Sequence, residues 1–182
     1  MTGDRQVKVL IDETKIAARI EGIAREIAAK KPMDLLVVAI LKGSFMFAAD
    51  LLRAMHRAGL EPHVEFMHLS SYQTGTTSTG KVQILKDVES SVKDRDIVLV
   101  DDILESGRTL AFAKDLLVAR GARRVMIATM LEKPGKLAVP VKADFVGFNC
   151  PDVFVVGYGM DVAHSYRELP FVGRVVMAGE EP

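Results

Sequence analysis

The sequence predicts an α/β fold with a mostly parallel, twisted central sheet flanked by helices. Runs of β-branched residues and leucine at 35–41, 96–100 and 124–131 are typical of strands buried on both faces of a parallel sheet. The first two runs are each followed by a small polar turn and a helical pattern that ends at a glycine, Gly59 or Gly121. The chain has 182 residues, 49% of them hydrophobic, so we expect a single domain spanning residues 1–182.

The composition limits the class of partner. Lys plus Arg and Asp plus Glu number 24 each, so the overall charge favours no polyanion such as nucleic acid. Cys150 is the only cysteine, which excludes an internal disulfide and fits a reducing compartment. The N-terminal residues show no hydrophobic signal core, and no apolar run has membrane-spanning length. We expect a cytoplasmic protein without a membrane or nucleic-acid partner.

The N-terminal elements predict packing rather than chemistry. Residues 7–11 form a strand pattern, and Asp12 is suited to cap the helix that follows. An apolar stripe at helical spacing runs along that helix and predicts one buried face; it consists of Ile16, Ile20, Ile23 and Ile27.

Polar groups follow the second buried strand directly. Asp101 and Asp102 would repel each other there unless a cation or hydroxyl groups lay above the sheet edge. Ser106 and Thr109 come next, at the start of a helix predicted over 110–120. A helix N-terminus with two hydroxyls forms a cradle for phosphate, so this stretch suits a phosphorylated sugar.

A second turn belongs to the same predicted sheet edge. Lys42, Gly43 and Ser44 follow the strand at 35–41 and precede a helix over 45–58. A lysine beside a glycine suits an anion approached by backbone amides.

A long small-residue segment, 70–80, follows a strand predicted over 64–69, and we expect it to be a mobile lid over about 70–82. Its tail is one residue short of a P-loop signature, because Val82 stands where Ser or Thr is needed after Lys81. The alternating pattern after Lys81 predicts a strand, whereas a P-loop requires a helix there.

The motif D-D-I-L-E-S-G-R-T-L, residues 101–110, resembles the phosphoribosyl-pyrophosphate (PRPP) motif of the type I phosphoribosyltransferases. The turn after Leu41 resembles the pyrophosphate loop of that family, which commonly holds a cis peptide matching Leu41–Lys42. The resemblance implies a set of residues that bind PRPP and its phosphates: Lys42, Gly43, Asp101, Asp102, Ile103, Leu104, Glu105, Ser106, Gly107, Arg108, Thr109 and Arg167.

The segment 144–170 resembles the C-terminal hood of the hypoxanthine (6-oxopurine) phosphoribosyltransferases, which implies a small hood over about 144–182 with an N-terminal contribution. In that group a lid carries a Ser-Tyr pair, matched here by Ser71 and Tyr72. The resemblance implies purine-binding residues, namely Lys133, Phe154, Val155, Met160 and Asp161.

The implied reaction transfers the ribosyl C1 of PRPP to N9 of hypoxanthine, guanine or xanthine and releases pyrophosphate. The implied cofactor is Mg²⁺, near Asp101, Asp102 and Asp161. Glu105 stands where the family usually has Asp, the acceptor of the purine N7 proton. The other residues implied to serve catalysis are Lys133, Arg167, Ser71 and Tyr72. The family is typically dimeric or tetrameric, so a homodimer or homotetramer is expected.

Two other classes of function stay open at this point. The phosphoribosyltransferase fold also serves regulators that sense nucleotides and bind RNA or DNA. A P-loop-like nucleotide kinase is the other alternative. It is the less favoured one, because the sequence lacks the Ser or Thr after Lys81 and the helical pattern that a P-loop requires. RNA binding without PRPP turnover would indicate the regulator, and phosphate transfer from ATP would indicate the kinase.

Overall fold

The computed structural model describes residues 5–74 and 77–177, and within these ranges the side chains of residues 6–70 and 82–176. None of the helices in these ranges is long and apolar enough to cross a bilayer. The elements follow in chain order: β1 (Arg5–Ile11), α1 (Glu13–Ala29), β2 (Leu36–Leu41), α2 (Phe45–Arg57), β3 (His63–Thr74), β4 (Thr77–Lys86), β5 (Asp96–Leu104), α3 (Arg108–Ala119), β6 (Arg124–Glu132), β7 (Phe145–Asn149), β8 (Val155–Val156) and β9 (Val172–Met177).

Six strands form the large sheet in the order β4-β3-β2-β5-β6-β7. All neighbouring pairs from β3 to β7 are parallel, and β4 runs antiparallel to β3 at one edge. The chain leaves β2 toward β3 on one side and leaves β5 toward β6 on the other. Ligands of open α/β sheets bind at such a switch point, outside the carboxyl ends of the strands. The predicted fold class is confirmed.

Alternate side chains of the central strands enter two cores. Val37 and Val98 pack on the face covered by α1 and α2, together with the predicted stripe of α1. Val38 and Leu99 pack on the opposite face, against α3. Burial on both faces explains why these strands have unbroken apolar sequences. The predicted cap of α1 is also present, because the Lys15 amide donates to the Asp12 carboxylate at 2.9 Å.

A small antiparallel sheet, β1-β9-β8, forms the hood, and β1 supplies the expected N-terminal contribution. The predicted hood segment began at residue 144, but β7 is instead the last strand of the large sheet, paired with β6. Phe145 of β7 is buried in the main core. A Cβ on Gly147 would lie 2.3 Å from the Met130 carbonyl oxygen, so β7 packs closely against β6 there.

The prediction that residues 70–80 form a loop is wrong for the residues described, because most of this segment belongs to two paired strands. β3 continues to Thr74, and β4 returns from Thr77, with Leu69 opposite Ile84. Threonine favours strands, and cross-strand pairing with an apolar partner outweighs the polar composition of the segment. A strand at this position also excludes the P-loop arrangement, in which a helix follows the lysine.

A charged cluster closes the amino end of β5. Asp96 is 0% exposed; its carboxylate accepts from the Met33 amide at 2.9 Å and from Arg124 at 2.7 Å, and it also binds Arg123. Burial acts to raise the pKa of Asp96, but the Met33 amide and the two guanidinium groups outweigh it and hold the pKa below its ordinary value. This buried carboxylate is therefore compensated within the chain.

Candidate active site

Two adjacent acids lie near the carboxyl end of β5. The sequence predicted that the strand would end at residue 100, but pairing with β6 continues, with Asp101 opposite Thr129 and Leu104 opposite Glu132. Hydrogen bonding to a neighbouring parallel strand thus carries two charged residues into the sheet. The Asp102 amide donates to the Asp101 carboxylate at 3.0 Å.

The acid pair lacks the compensation found at Asp96. Burial, and then the neighbouring charge of Asp102, raise the pKa of Asp101 well above its ordinary value. Burial also raises the pKa of Asp102, although the positive charge of Arg167 opposes it. Neither carboxylate forms a salt bridge with any residue in the described ranges. The pair therefore favours a cation or hydroxyl groups supplied from outside the protein.

The turn after β5 leads directly into α3. Gly107 has φ 77°, and a Cβ there would lie 2.5 Å from a Val141 methyl group, so this position requires glycine. α3 begins at Arg108, two residues before the predicted start, because the left-handed Gly107 turns the chain at once into the helix. The Ser106 hydroxyl accepts from the Arg108 amide at 3.4 Å. With Thr109 in the first turn, the helix start has the composition of a phosphate cradle.

The turn after β2 packs against the acid pair. The Leu41–Lys42 peptide bond is cis, as the resemblance implied. A Cβ on Gly43 would lie 1.7 Å from an Asp102 carboxylate oxygen, so only glycine allows this approach. The buried Ser44 hydroxyl donates to the Ile40 carbonyl at 2.5 Å and anchors the turn to its own strand.

One pocket of about 270 Å³ lies between the two turns. It brings together the tips of β2 and β5 and the start of α3, as the shared sheet edge predicted. It is lined by Ile40, Leu41, Lys42, Gly43, Leu69, Asp101, Asp102, Ile103, Leu104, Glu105, Ser106, Gly107, Thr109 and Leu110.

An ion pair flanks this pocket at the tip of β6. The Lys133 ammonium lies 3.1 Å from the Glu105 carboxylate; Lys133 is buried, while the Glu105 side chain is half exposed. The Lys133 amide also donates to the Leu104 carbonyl at 2.9 Å, because β5 and β6 keep their register to the strand ends. A hydrogen-bond donor and an acceptor thus lie side by side, where the sequence predicted each residue separately.

Arg167 and Asp161 form a second pair on the hood side. The guanidinium of Arg167 lies 2.8 Å from the Asp161 carboxylate and donates to the Gly159 carbonyl at 2.6 Å. The other Asp161 oxygen accepts from the His164 amide at 2.7 Å. Gly159, whose carbonyl Arg167 binds, packs against Gly43, and Gly43 packs against Asp102, so the hood pair lies near the acid pair of β5.

The residues predicted to bind a purine differ in their exposure. Phe154 is 59% exposed, and its ring is free to stack on a planar base. Val155 is buried at the start of β8. Met160 packs in the main core at 5% exposure, and its role in purine binding stays a prediction. An ion pair of 2.5 Å between Lys136 and Asp152 joins the loop of Lys133 to the segment before Phe154.

Two predicted residues lie outside the described side chains, namely Ser71 and Tyr72 in β3, so their role in a lid stays a prediction.

The sequence-based reasoning missed Gly159. A Cβ there would lie 2.1 Å from the Gly43 carbonyl oxygen, so the hood contacts the Lys42–Gly43 turn at this point. The pattern Gly-Tyr-Gly was the available signal, because two alternating glycines indicate a backbone under steric constraint.

The parallel sheet, the acid pair and the helix start define a phosphoribosyl-transferring class of protein. A family model described as the phosphoribosyl transferase domain matches residues 7–163. The chain belongs to the phosphoribosyltransferase family.

Its relatives point to one branch of that family. The chain is 43% identical over 178 residues to a hypoxanthine phosphoribosyltransferase of Salmonella typhimurium, covering 96% of this chain and 98% of the relative. A crystal structure of a hypoxanthine-guanine phosphoribosyltransferase from Bacillus anthracis matches with TM-score 0.87 and 37% identity, covering 96% of this chain and 100% of that one. A hypoxanthine phosphoribosyltransferase from Staphylococcus aureus matches with TM-score 0.87 and 38% identity, covering 93% and 91%.

Proposed function

We propose that this chain is a purine-salvage enzyme that transfers the 5-phosphoribosyl group of PRPP to N9 of hypoxanthine or guanine, forming IMP or GMP and pyrophosphate. The observation that carries the proposal is the pocket of about 270 Å³ that joins the Lys42–Gly43 turn to the acid pair and the start of α3, beside the Lys133–Glu105 pair. Each part suits one part of the two substrates, and the named relatives carry out this class of reaction by their descriptions.

The phosphoribosyl side is divided among three groups. The start of α3, from Ser106 to Thr109, receives the 5′-phosphate through its free amides and hydroxyls. Asp101 and Asp102 accept hydrogen bonds from the ribose hydroxyls. The Lys42–Gly43 turn and Arg167 bind the pyrophosphate, whose departure leaves positive charge on the ribose as in other glycosyl transfers.

The acid pair also fits Mg²⁺. Within the described residues, no group of three or more His, Cys, Asp or Glu side chains is arranged to hold a metal. Mg²⁺ keeps several waters and takes ligands from substrate phosphates, so Asp101 and Asp102, with Asp161 for a second ion, suffice. When bound, it neutralises charge on the leaving pyrophosphate.

The base is oriented by the Lys133–Glu105 pair. O6 and N7 are neighbouring atoms on one edge of an oxopurine. Lys133 donates to O6, and Glu105 accepts the N7 proton as N9 forms its bond to C1 and pyrophosphate leaves with the electron pair of the broken bond. An adenine amino group would face the Lys133 cation without an acceptor, so adenine is rejected. Phe154 stacks on the purine, and the Val155 backbone bonds its edge.

Steady-state turnover tests the proposal. Purified chain with Mg²⁺ and PRPP should form nucleotide and pyrophosphate from hypoxanthine, guanine or xanthine at rates that identify the preferred base, and should form none from adenine. Absence of nucleotide from every oxopurine would overturn the function.

Glu105→Gln tests the assigned proton acceptor. The amide keeps the shape of the side chain but cannot take a proton, so kcat should fall about 10²–10⁴-fold, the usual contribution of a general base. Lys136→Gln, which removes a charge from the same region outside the proposed chemistry, is the matched control. A much smaller fall in Glu105→Gln would remove Glu105 from this role.

By the same resemblance we propose a cytoplasmic homodimer or homotetramer. Sedimentation of the purified chain distinguishes these two assemblies from a monomer.

A further inference from the structure

One tyrosine of the hood has no role in the chemistry above. Tyr158 has φ 51° and lies between Gly157 at φ 90° and Gly159 at φ 97°. A bulky side chain rarely adopts this left-handed conformation. A tyrosine held there indicates that its side chain makes a contact that outweighs the unfavourable backbone.

That contact is a hydrogen bond to α2. The Tyr158 side chain is buried, and its hydroxyl donates to the Asp50 carboxylate at 2.6 Å. The other Asp50 oxygen accepts from Arg53 at 2.9 Å. Burial, and then the bond to Asp50, raise the pKa of Tyr158 far above its ordinary value, so the phenol keeps the proton that it donates.

The backbone of the same turn holds the hood pair in place. The Tyr158 amide donates to the Leu169 carbonyl at 2.8 Å, and the Gly159 amide donates to the Arg167 carbonyl at 3.0 Å. The Arg167 guanidinium returns to the Gly159 carbonyl at 2.6 Å. Any shift of this turn therefore moves Arg167, which binds pyrophosphate in the proposed function.

The hood turn, residues 157–159, also contacts the Lys42–Gly43 turn. Gly159 lies against the Gly43 carbonyl, where a Cβ would be 2.1 Å away. Gly43 lies two residues before the start of α2, and Asp50 lies about one and a half turns into that helix. Helix α2 thus carries both the Lys42–Gly43 turn and the acceptor for Tyr158.

Packing behind the turn is incomplete. A cavity of about 360 Å³ lies between α1, α2 and residues 168–170, and both Tyr158 and Asp50 line it. The hydrogen bond crosses between the hood turn and α2 at the wall of this cavity. Where apolar packing is missing, a directed hydrogen bond contributes more to fixing position.

We propose that Tyr158 and Asp50 are positioning residues: their hydrogen bond fixes the hood turn to α2, so that Arg167 and Lys42 face the same pyrophosphate. This proposal rests on the proposed function and adds two residues that do not touch the substrate. Its consequence is selective. Losing the bond should weaken the binding of PRPP and pyrophosphate more than the binding of the purine, because Lys133 and Glu105, which orient the base in the proposed function, lie at the tips of β6 and β5 and outside the hood.

Four variants test the bond: Tyr158→Phe, Asp50→Ala, Asp50→Asn and the double variant Tyr158→Phe/Asp50→Ala. Tyr158→Phe and Asp50→Ala should each raise KM for PRPP about three- to tenfold, the range for one hydrogen bond, while KM for hypoxanthine changes less than about twofold. The double variant should be no worse than the worse single variant, because both changes remove one interaction. Asp50→Asn keeps an oxygen acceptor and should stay within about twofold of the native chain.

Calorimetry with inorganic pyrophosphate and Mg²⁺ gives a readout that does not depend on turnover. The dissociation constant for pyrophosphate should rise in Tyr158→Phe by the same factor as KM for PRPP. Tyr166→Phe, which removes a hydroxyl from the same segment, is the control and should leave this constant unchanged. Because the Asp50 side chain is 45% exposed, its variants should fold, and thermal unfolding verifies this.

Three results would overturn the proposal: unchanged pyrophosphate affinity in Tyr158→Phe, equal increases in KM for both substrates, or multiplicative effects in the double variant. If the native chain makes no nucleotide but Tyr158→Phe still weakens pyrophosphate binding, the proposed function fails and the positioning role stands.

Discussion

The two ends of β5 bury carboxylates in opposite ways. At the amino end, Asp96 is ionised against Arg123, Arg124 and the Met33 amide, and its pKa lies below the ordinary value. Near the carboxyl end, Asp101 is buried beside another carboxylate, and its pKa lies well above the ordinary value.

The difference separates structure from function on one strand. The amino-end acid has its partners in the chain and stabilises the fold. The acid pair forms no salt bridge with the described residues, so its burial is unfavourable until a ligand compensates it. Functional sites are the places where a fold retains such uncompensated groups.

Asp101→Asn should have the largest effect, and that effect is on activity. The amide keeps the acceptor for the Asp102 amide but loses the charge that we propose binds Mg²⁺ and ribose, so kcat/KM for PRPP should fall about 10²–10³-fold. Steady-state kinetics measures the loss, and Asp115→Asn on α3 is the matched control. Near-native kcat/KM would contradict the assignment of the acid pair to PRPP.

Asp96→Asn should show the converse. The side chain is fully buried, and the amide loses the negative charge that pairs with both arginines, so the free energy of unfolding should fall by about 1–3 kcal/mol. The half-exposed arginines regain water, which limits the loss. Denaturant unfolding measures the change, and kcat per folded molecule should be unchanged. A loss of activity without a loss of stability would break the comparison between the two ends.

The pH dependence of stability gives a smaller effect with opposite signs. The lowered pKa of Asp96 stabilises the fold above its ordinary value of 3.8, and this contribution is lost as pH falls through the folded pKa, below 3.8. The raised pKa of Asp101 destabilises the fold at neutral pH. As pH falls, folded Asp101 takes up a proton while the pH is still above 3.8, and this destabilisation is lost. In unfolding series from pH 8 to 3, the native advantage over Asp96→Asn should therefore shrink only at the acid end. The advantage of Asp101→Asn over the native chain should also shrink as pH falls, but at pH values above those that affect Asp96, because the folded pKa of Asp101 lies well above 3.8.

Much of the fold follows from local pattern. The buried runs predicted β2, β5 and β6 because parallel strands covered on both faces need apolar side chains throughout. The shared sheet edge then predicted that Lys42, Gly43 and the acid pair would meet. The motif resemblance supplied the cis Leu41–Lys42 bond, which no periodicity encodes.

The rest depends on contacts that local pattern does not encode. The Lys133–Glu105 pair arises from the register of β5 with β6, which single residues do not specify. Tyr158 and Asp50 are 108 positions apart and meet only through docking of the hood on α2. The strands on both sides of segment 70–80 were predicted, but their extension into a hairpin was missed, because cross-strand pairing outweighed a polar composition typical of loops.

Thermal unfolding with and without ligand tests the central claim most directly. Without ligand, Asp101→Asn should be more stable than the native chain at pH 7, by about 0.5–2 kcal/mol, because a buried repulsion is relieved. With saturating PRPP and Mg²⁺ the order should reverse, since ligand binding to the folded state stabilises the native chain more. A native chain that is the more stable of the two under both conditions would contradict the view that the acid pair is held for a ligand.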